Sequence, residues 1–228
     1  MFSAKTLNFL VENRLQNSRE WFAEHKGAYQ EYVLQPLSAL ASALAPAVNR
    51  IDPLIITEPK VDKAISRIYR DTRFSKDKLL YREEMWLSFK RDKHAYPNHP
   101  EFFFVISPGG FLYGCGYYAA ETDTMRAMRE MILRGDPAFA AAKKAFERQD
   151  HFVLDGDCFK RSKYPEQPEN LRSWLDRKNI CLICSSNDFS LLFSEDLPRI
   201  IAEDYEKLED VYQFFVRAES EAQRMRYK

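Results

Sequence analysis

Apolar side chains fall at helical spacing over residues 4–15, at Leu7, Leu10, Val11 and Leu15, which predicts a short amphipathic helix. Asn17 and Glu20 have capping-box spacing and open a second helix, with Trp21, Phe22, Tyr29, Val33, Leu37, Leu40 and Leu44 on its apolar face. Pro36 is expected to kink it. Residues 46–62 are punctuated by prolines and read as a connection. The period then changes to two. AISRIYRDT (64–72), MWLSFKR (85–91), EFFFVIS (101–107) and FLYGCGYYA (111–119) read as strands, the last two joined by a turn at Ser107-Pro108-Gly109-Gly110. Helices follow at 122–134 and 137–148, divided by Asp136-Pro137 in an N-cap-then-proline arrangement. HFVLDGD (151–157) is extended and leads into a basic loop at 160–164. A helix at 169–178, a strand ICLICS (180–185) and a long helix at 196–222 complete the pattern. The last helix carries Leu197, Ile200, Ile201, Leu208, Val211, Tyr212 and Phe215 on one face, a stripe suited to core packing.

This order predicts a single α+β domain over residues 1–228. Its N-terminal helical part is about 1–45 and its sheet about 63–119, and the remainder is helical and mixed. A mostly antiparallel central sheet is flanked by N-terminal, middle and long C-terminal helices. The chain has 228 residues, 45% hydrophobic and 14% aromatic, enough apolar surface to offset the entropy of ordering and to exclude disorder as the main state. No apolar run has the roughly 18 residues that a membrane helix needs, and MFSAKTLNFLVENR lacks a signal peptide's apolar stretch. A cytoplasmic protein without membrane association is expected. The four cysteines, 115, 158, 181 and 184, are expected as buried thiols.

Lys and Arg (34) balance Asp and Glu (34), which argues against a wholly basic nucleic-acid binder. The balance is not local. Residues 63–82 hold Lys63, Arg67, Arg70, Arg73, Lys76, Lys78 and Arg82 against Asp71 and Asp77, a net charge of +5. Residues 195–210 hold seven acids against Arg199 and Lys207, a net charge of −5. Three arginines at three-residue spacing, interleaved with Tyr69, Phe74 and Tyr81, offer planar forks beside aromatic faces. Guanidinium binds carboxylate or phosphate bidentately, so the pattern points to an anion. In a regular strand Arg67 and Arg70 face opposite sides, so a turn near Thr72 is needed to bring Arg70, Arg73 and Lys78 together.

The stretch RIYRDTRFSKDKLLY (67–81) resembles the signature of the bacterial domain of unknown function 2461 family. So do NSREWFAEHKGAYQEYVLQPL (17–37), GGFLYGCGYYAAETDTMRAMREMI (109–132) and LDGDCFKR (154–161), which together extend over nearly the whole chain. The family usually continues its DK with Pro-Tyr-Lys, where this chain has Leu80-Tyr81-Arg82. After the basic pair Lys160-Arg161, an expected Pro-Lys-Gly is Ser162-Lys163-Tyr164. The resemblance implies a shared α+β fold and supplies no activity.

Other motifs are weaker. Cys181 and Cys184 form a CxxC with an apolar spacer in a strand, where the two thiols face opposite sides and suit a core. Gly114-Cys115-Gly116-Tyr117-Tyr118-Ala119 has the letters of a dinucleotide fingerprint but lies in a hairpin; its glycines are expected to leave room for a neighbouring chain or ligand. Histidines 25, 94, 99 and 151 are scattered, without metal-ligand spacing, and no cofactor or metal is expected. No nucleophile motif names a reaction.

The leading expectation is therefore a small anionic ligand, bearing phosphate or carboxylate, in an Arg- and Tyr-lined pocket. Arg67, Arg70, Arg73 and Lys78 belong to this set, with Asp71 fixing the arginines and Tyr117 or Tyr118 as a stacking face. Arg126, Arg129, Lys160 and Arg161 add to it. Two other classes stay open: a protein-interaction or structural module whose arginines form internal or intersubunit ion pairs, and a binder of single-stranded nucleic acid.

Overall fold

Phe9, not the aliphatic stripe, decides how the first helix lies. In the computed structural model, which describes residues 1–73 and 76–226, helix α1 is Ala4–Gln16. It buries Thr6, Phe9, Leu10 and Asn13. The Phe9 ring lies 5.8 Å from Tyr29 and 5.7 Å from Trp21, and the Thr6 hydroxyl donates to the Tyr32 carbonyl at 2.7 Å. The expected face at Leu7, Leu10, Val11 and Leu15 is thus rotated, and Leu15 is left 77% exposed. Large aromatic surface outweighs aliphatic spacing here.

Asn17 does not open the second helix. It ends α1 in the left-handed region, φ 46°, while Ser18 caps α2 (Arg19–Glu24) by accepting from the Trp21 amide at 3.2 Å. Helix α3 (Lys26–Tyr29), a π-turn at Gln30–Leu34 and α4 (Gln35–Ile51) continue the chain. Pro36 stands in the first turn of α4, directly after the π-turn, so the wider turn takes the place of the expected kink. Pro46 lies inside α4, and the helix extends to Ile51 beyond the expected boundary. Val33, Leu37, Leu40 and Leu44 are buried as the sequence pattern predicts.

Residues 64–72 form no strand. They are held by isolated bridges, Ile65 to Leu87 and Tyr69 to Tyr81. The strands are β1 (Met85–Phe89), β2 (Glu101–Ser107), β3 (Gly110–Gly116), β4 (Val153–Asp155) and β5 (Cys181–Ser186). They form one antiparallel sheet in the order β1-β2-β3-β5-β4. Val153 pairs with Ile183 and Asp155 with Cys181. The glycines of β3 admit β5: a Cβ on Gly114 would stand 1.9 Å from the Leu182 carbonyl oxygen, and one on Gly116 would stand 2.4 Å from Cys181. The neighbour for which these glycines leave room is a strand of the same chain.

Helices α5 (Thr122–Leu133), α6 (Pro137–Glu147), α7 (Glu169–Leu175), α8 (Phe189–Leu192), α9 (Leu197–Lys207) and α10 (Glu209–Arg226) complete the fold, which is α+β. The expected single helix at 196–222 is interrupted at Leu208. None of these helices is long and apolar enough to cross a membrane.

The chain divides into two compact units. Unit 1 comprises residues 1–89, 103–113 and 185–203, and its core gathers Phe9, Phe22, Tyr29 and Leu37 with Phe104 and Phe111. Unit 2 comprises residues 90–102, 114–184 and 204–228. In it α10 packs against α5 and α6, with Phe139, Trp174 and Phe214 in mutual ring contact. Among the cysteines only Cys115 is buried, Cys181 and Cys184 are partly exposed and Cys158 is exposed, so the expectation of four buried thiols is corrected. Cys158 lies at a loop bridge beside Arg177, away from any strand core.

Because β5 reaches its place only past a bare backbone, Gly114→Ala is expected to destabilise the protein by about 3 kcal/mol. Gly27→Ala, where no atom stands within 4 Å of the added Cβ, is expected to be about 0.5 kcal/mol stabilising. Thermal or urea melts of the two variants check the contrast.

Candidate functional site

The signature stretch folds as a closed loop. The Arg70 amide donates to the Leu80 carbonyl at 2.8 Å and the Arg82 amide to the Ile68 carbonyl at 2.9 Å, on either side of the Tyr69–Tyr81 bridge. The stem is tied to the first helices. Arg14 donates to the Tyr81 carbonyl at 2.9 Å, the Asn17 side chain accepts from the Leu80 amide at 2.7 Å, and the Tyr81 hydroxyl donates to the Ser18 carbonyl at 3.3 Å. Tyr81 stacks on Phe22 at 5.1 Å and contacts Tyr69 at the same distance. Burial pushes the Tyr81 phenol up to about 12. The aromatics interleaved with the arginines thus anchor the loop; Phe74 lies outside the described residues.

The three arginines and Lys78 of this segment have partners inside it or next to it, while Lys76 is exposed and has none among the described residues. Arg70 pairs with Asp77, which also receives Arg14 at 3.3 Å and the Leu79 amide at 3.0 Å. The Leu79 amide, then the Arg70 guanidinium, hold the Asp77 carboxyl at about 2. Asp71 takes Arg73 in a fork, Nε at 3.0 Å and Nη2 at 2.7 Å, which holds its carboxyl at about 2 as well. Arg67 pairs with Asp62 at 3.0 Å, and Lys78 donates to the Thr72 carbonyl at 2.8 Å. Asp71 therefore fixes Arg73 alone, while Asp77, absent from the residues singled out in the sequence, fixes Arg70. The structure does not gather Arg67, Arg70, Arg73 and Lys78 around one open point; each is directed to a different acceptor.

In unit 2 the remaining residues separate. Tyr117 is buried, 4% exposed, and its hydroxyl donates to the Phe215 carbonyl at 2.8 Å, so it is a core residue with no free face. Tyr118, next to it, is 92% exposed. Arg126 pairs with Asp123 one turn back at 3.2 Å, as a solvated helix charge does. Arg129 turns inward and donates to the carbonyls of Leu175 and Arg177 at the end of α7, where burial lowers its pKa.

Arg129 leads to a cluster of which the sequence pattern singled out Arg129, Lys160 and Arg161 but not Phe159 or Lys178. Its Cζ lies 5.2 Å from the centre of the Phe159 ring, with Lys163 Nζ at 4.1 Å and Lys178 Nζ at 6.0 Å from the same ring. Arg177 holds the loop from beneath, donating to the carbonyls of Leu154 at 2.7 Å and Gly156. The Phe159 amide donates to the Asp176 carbonyl at 2.9 Å, and the Lys163 amide to the Asp176 carboxylate at 3.0 Å. Lys160, Arg161, Lys163 and Lys178 are exposed, and among the described residues none has a carboxylate within 4.0 Å. Lys163 keeps the basic position of the expected Pro-Lys-Gly and belongs to the basic loop expected at 160–164. Lys178 arrives only through the fold, and Phe159 carries no pattern of its own.

His151, one of the scattered histidines, meets Asp204 at 2.9 Å across 53 residues of chain. Among the described residues no three His, Cys, Asp or Glu side chains are arranged to hold a metal ion. A groove of about 630 Å³ in unit 1 is lined by Glu84, Val105, Ser107, Gly109 to Leu112 and Ser185 to Asn187, and includes none of the residues singled out above.

Asp71 and Asp77 ionise below the unfolded-chain value of about 3.9. Their contribution is complete above that value and is lost as pH falls toward about 2. Melts between these limits are expected to be less pH-dependent for Asp77→Asn than for wild type. Hydrogen exchange at the Leu79 amide is expected to speed up in the same variant.

No curated protein matches the chain. A family model described as conserved hypothetical protein (DUF2461) matches residues 5–214, nearly the full length, including the clamped loop and the Phe159 cluster. The chain belongs to this family.

Proposed function

We propose that this is a cytoplasmic anion-binding protein whose ligand is held by Lys160, Arg161, Lys163 and Lys178 around Phe159, with Arg129 behind them. The observation that carries this reading is the contrast in charge compensation. In residues 67–78 the guanidiniums of Arg67, Arg70 and Arg73 are each on a carboxylate. In the 159–178 segment the exposed Lys160, Arg161, Lys163 and Lys178 have no carboxylate within 4.0 Å among the described residues. Like charges gathered at one place repel, and an anion that bridges them relieves the repulsion while gaining charge-assisted hydrogen bonds. Arg161 can take a phosphate or carboxylate in a fork and the lysines act as point charges, so the ligand class is a small phosphate- or carboxylate-bearing molecule.

A second reading concerns the other basic segment. Its ion pairs and the Arg14–Asp77–Arg70 link favour a structural role, in which the signature loop is locked to α1 and the start of α2. The two readings concern different residues and are compatible.

Thermal-shift titrations with phosphate, pyrophosphate and citrate test both. A ligand at about 100 times its Kd is expected to add about 2.7 kcal/mol to wild type. Lys160→Ala/Arg161→Ala/Lys163→Ala, at exposed positions, is expected to fold normally and to lose this shift. Arg70→Ala/Arg73→Ala is expected to melt lower and to keep it. Retention of the shift in the triple variant, or its loss in a folded Arg70/Arg73 variant, would contradict the proposal.

A further inference from the structure

The groove in unit 1 has a chemistry opposite to that of the basic loop. Its wall begins where Gly110, φ 141°, opens β3: a Cβ there would stand 2.4 Å from the Ser186 carbonyl oxygen, so only a bare backbone lets the hairpin turn lie against the end of β5. Two hydroxyls set the rim. Ser107 Oγ donates to the Gly110 carbonyl at 3.3 Å, and Ser186 Oγ accepts from the Asp188 amide at 3.0 Å. Val105, Phe111 and Leu112 supply apolar surface, and Glu84, Ser185 and Asn187 supply polar side chains.

These last three side chains are exposed, and among the described residues none of them has a hydrogen bond or ion pair. No Lys, Arg or His lines the groove, so its one formal charge is the Glu84 carboxylate. At about 630 Å³ its size falls within the range of small-molecule sites. An uncompensated carboxylate rejects anions and favours a cation, while a hydroxyl and a carboxamide match the donors and acceptors of a hydroxylated ligand. Apolar surface beside them suits the C–H face of such a molecule.

We infer that this groove is a second binding site, for a small hydroxylated amine such as an amino sugar, with the ammonium on Glu84 and hydroxyls on Ser185 and Asn187. The site is independent of the anion site proposed above, since it shares no residue with it. Amide-resolved NMR titration with glucosamine, at a pH where its amine is protonated, tests it. Saturable shifts are expected at Ser107, Gly110, Phe111, Ser186 and Asn187. Glu84→Gln is expected to weaken binding about tenfold. Neutral N-acetylglucosamine is expected to bind wild type correspondingly more weakly, and gluconate not at all. Gly109→Phe adds bulk where only Ser107 Oγ, at 3.9 Å, stands near the new Cβ, and is expected to abolish the shifts while leaving the rest of the spectrum unchanged. No saturable shift at these amides, equal binding of gluconate or of the N-acetyl sugar, or wild-type affinity in Glu84→Gln would overturn the assignment.

Discussion

A guanidinium already held by a carboxylate of its own chain must lose that partner before it can hold a ligand, and Asp77 imposes this condition on the signature loop. It receives Arg70, Arg14 and the Leu79 amide together, joining the loop to the first helix and its own backbone. Asp71 does the same for Arg73 within two residues. Exposed pairs of this kind contribute little singly, but here they close a loop whose stem is also fixed by Tyr81, Asn17 and Ser18. The three arginines of the signature stretch are thereby each held by a carboxylate of the chain, whereas the anion site proposed above draws on the 159–178 segment.

The sheet follows from a different constraint, the closeness of β5 to β3. Backbone approaches at Gly110 in unit 1 and at Gly114 and Gly116 in unit 2 leave no space for a side chain. The strand that enters there is the last of the five in sequence, so β4 is left at the edge. The same approach at Gly110 forms the wall of the groove beside Glu84. A glycine pattern with the letters of a nucleotide-binding turn thus serves sheet packing.

Much of the fold was legible because period and punctuation agree locally. The strands at 85–89, 101–107 and 110–116 and the helices at 122–133 and 137–147 lie where alternation, turn residues and Asp136-Pro137 place them. The errors arise where tertiary partners decide. Phe9 rotates α1 toward Tyr29 and Trp21, a π-turn absorbs Pro36, and residues 64–72 meet β1 and Tyr81 through isolated bridges instead of forming a strand. The candidate site was legible as a tally of positive charge and not as its compensation. Spacing alone cannot show that Asp77 returns to Arg70, that Tyr117 points into α10, or that Lys178 comes beside Phe159. Lys160 and Arg161 were visible because they adjoin in sequence.

Compensation, not density, of positive charge locates the proposed anion site. The most direct measurement is a pyrophosphate titration followed through the side-chain methylene signals next to each lysine ammonium and arginine guanidinium, assigned by single Lys→Arg and Arg→Lys substitutions. Saturable shifts at Lys160, Lys163 and Lys178, with the carboxylate-held Arg67, Arg70 and Arg73 unmoved, are the result this account predicts. Shifts at those arginines with the 159–178 lysines unmoved would contradict it and return the ligand to the signature loop.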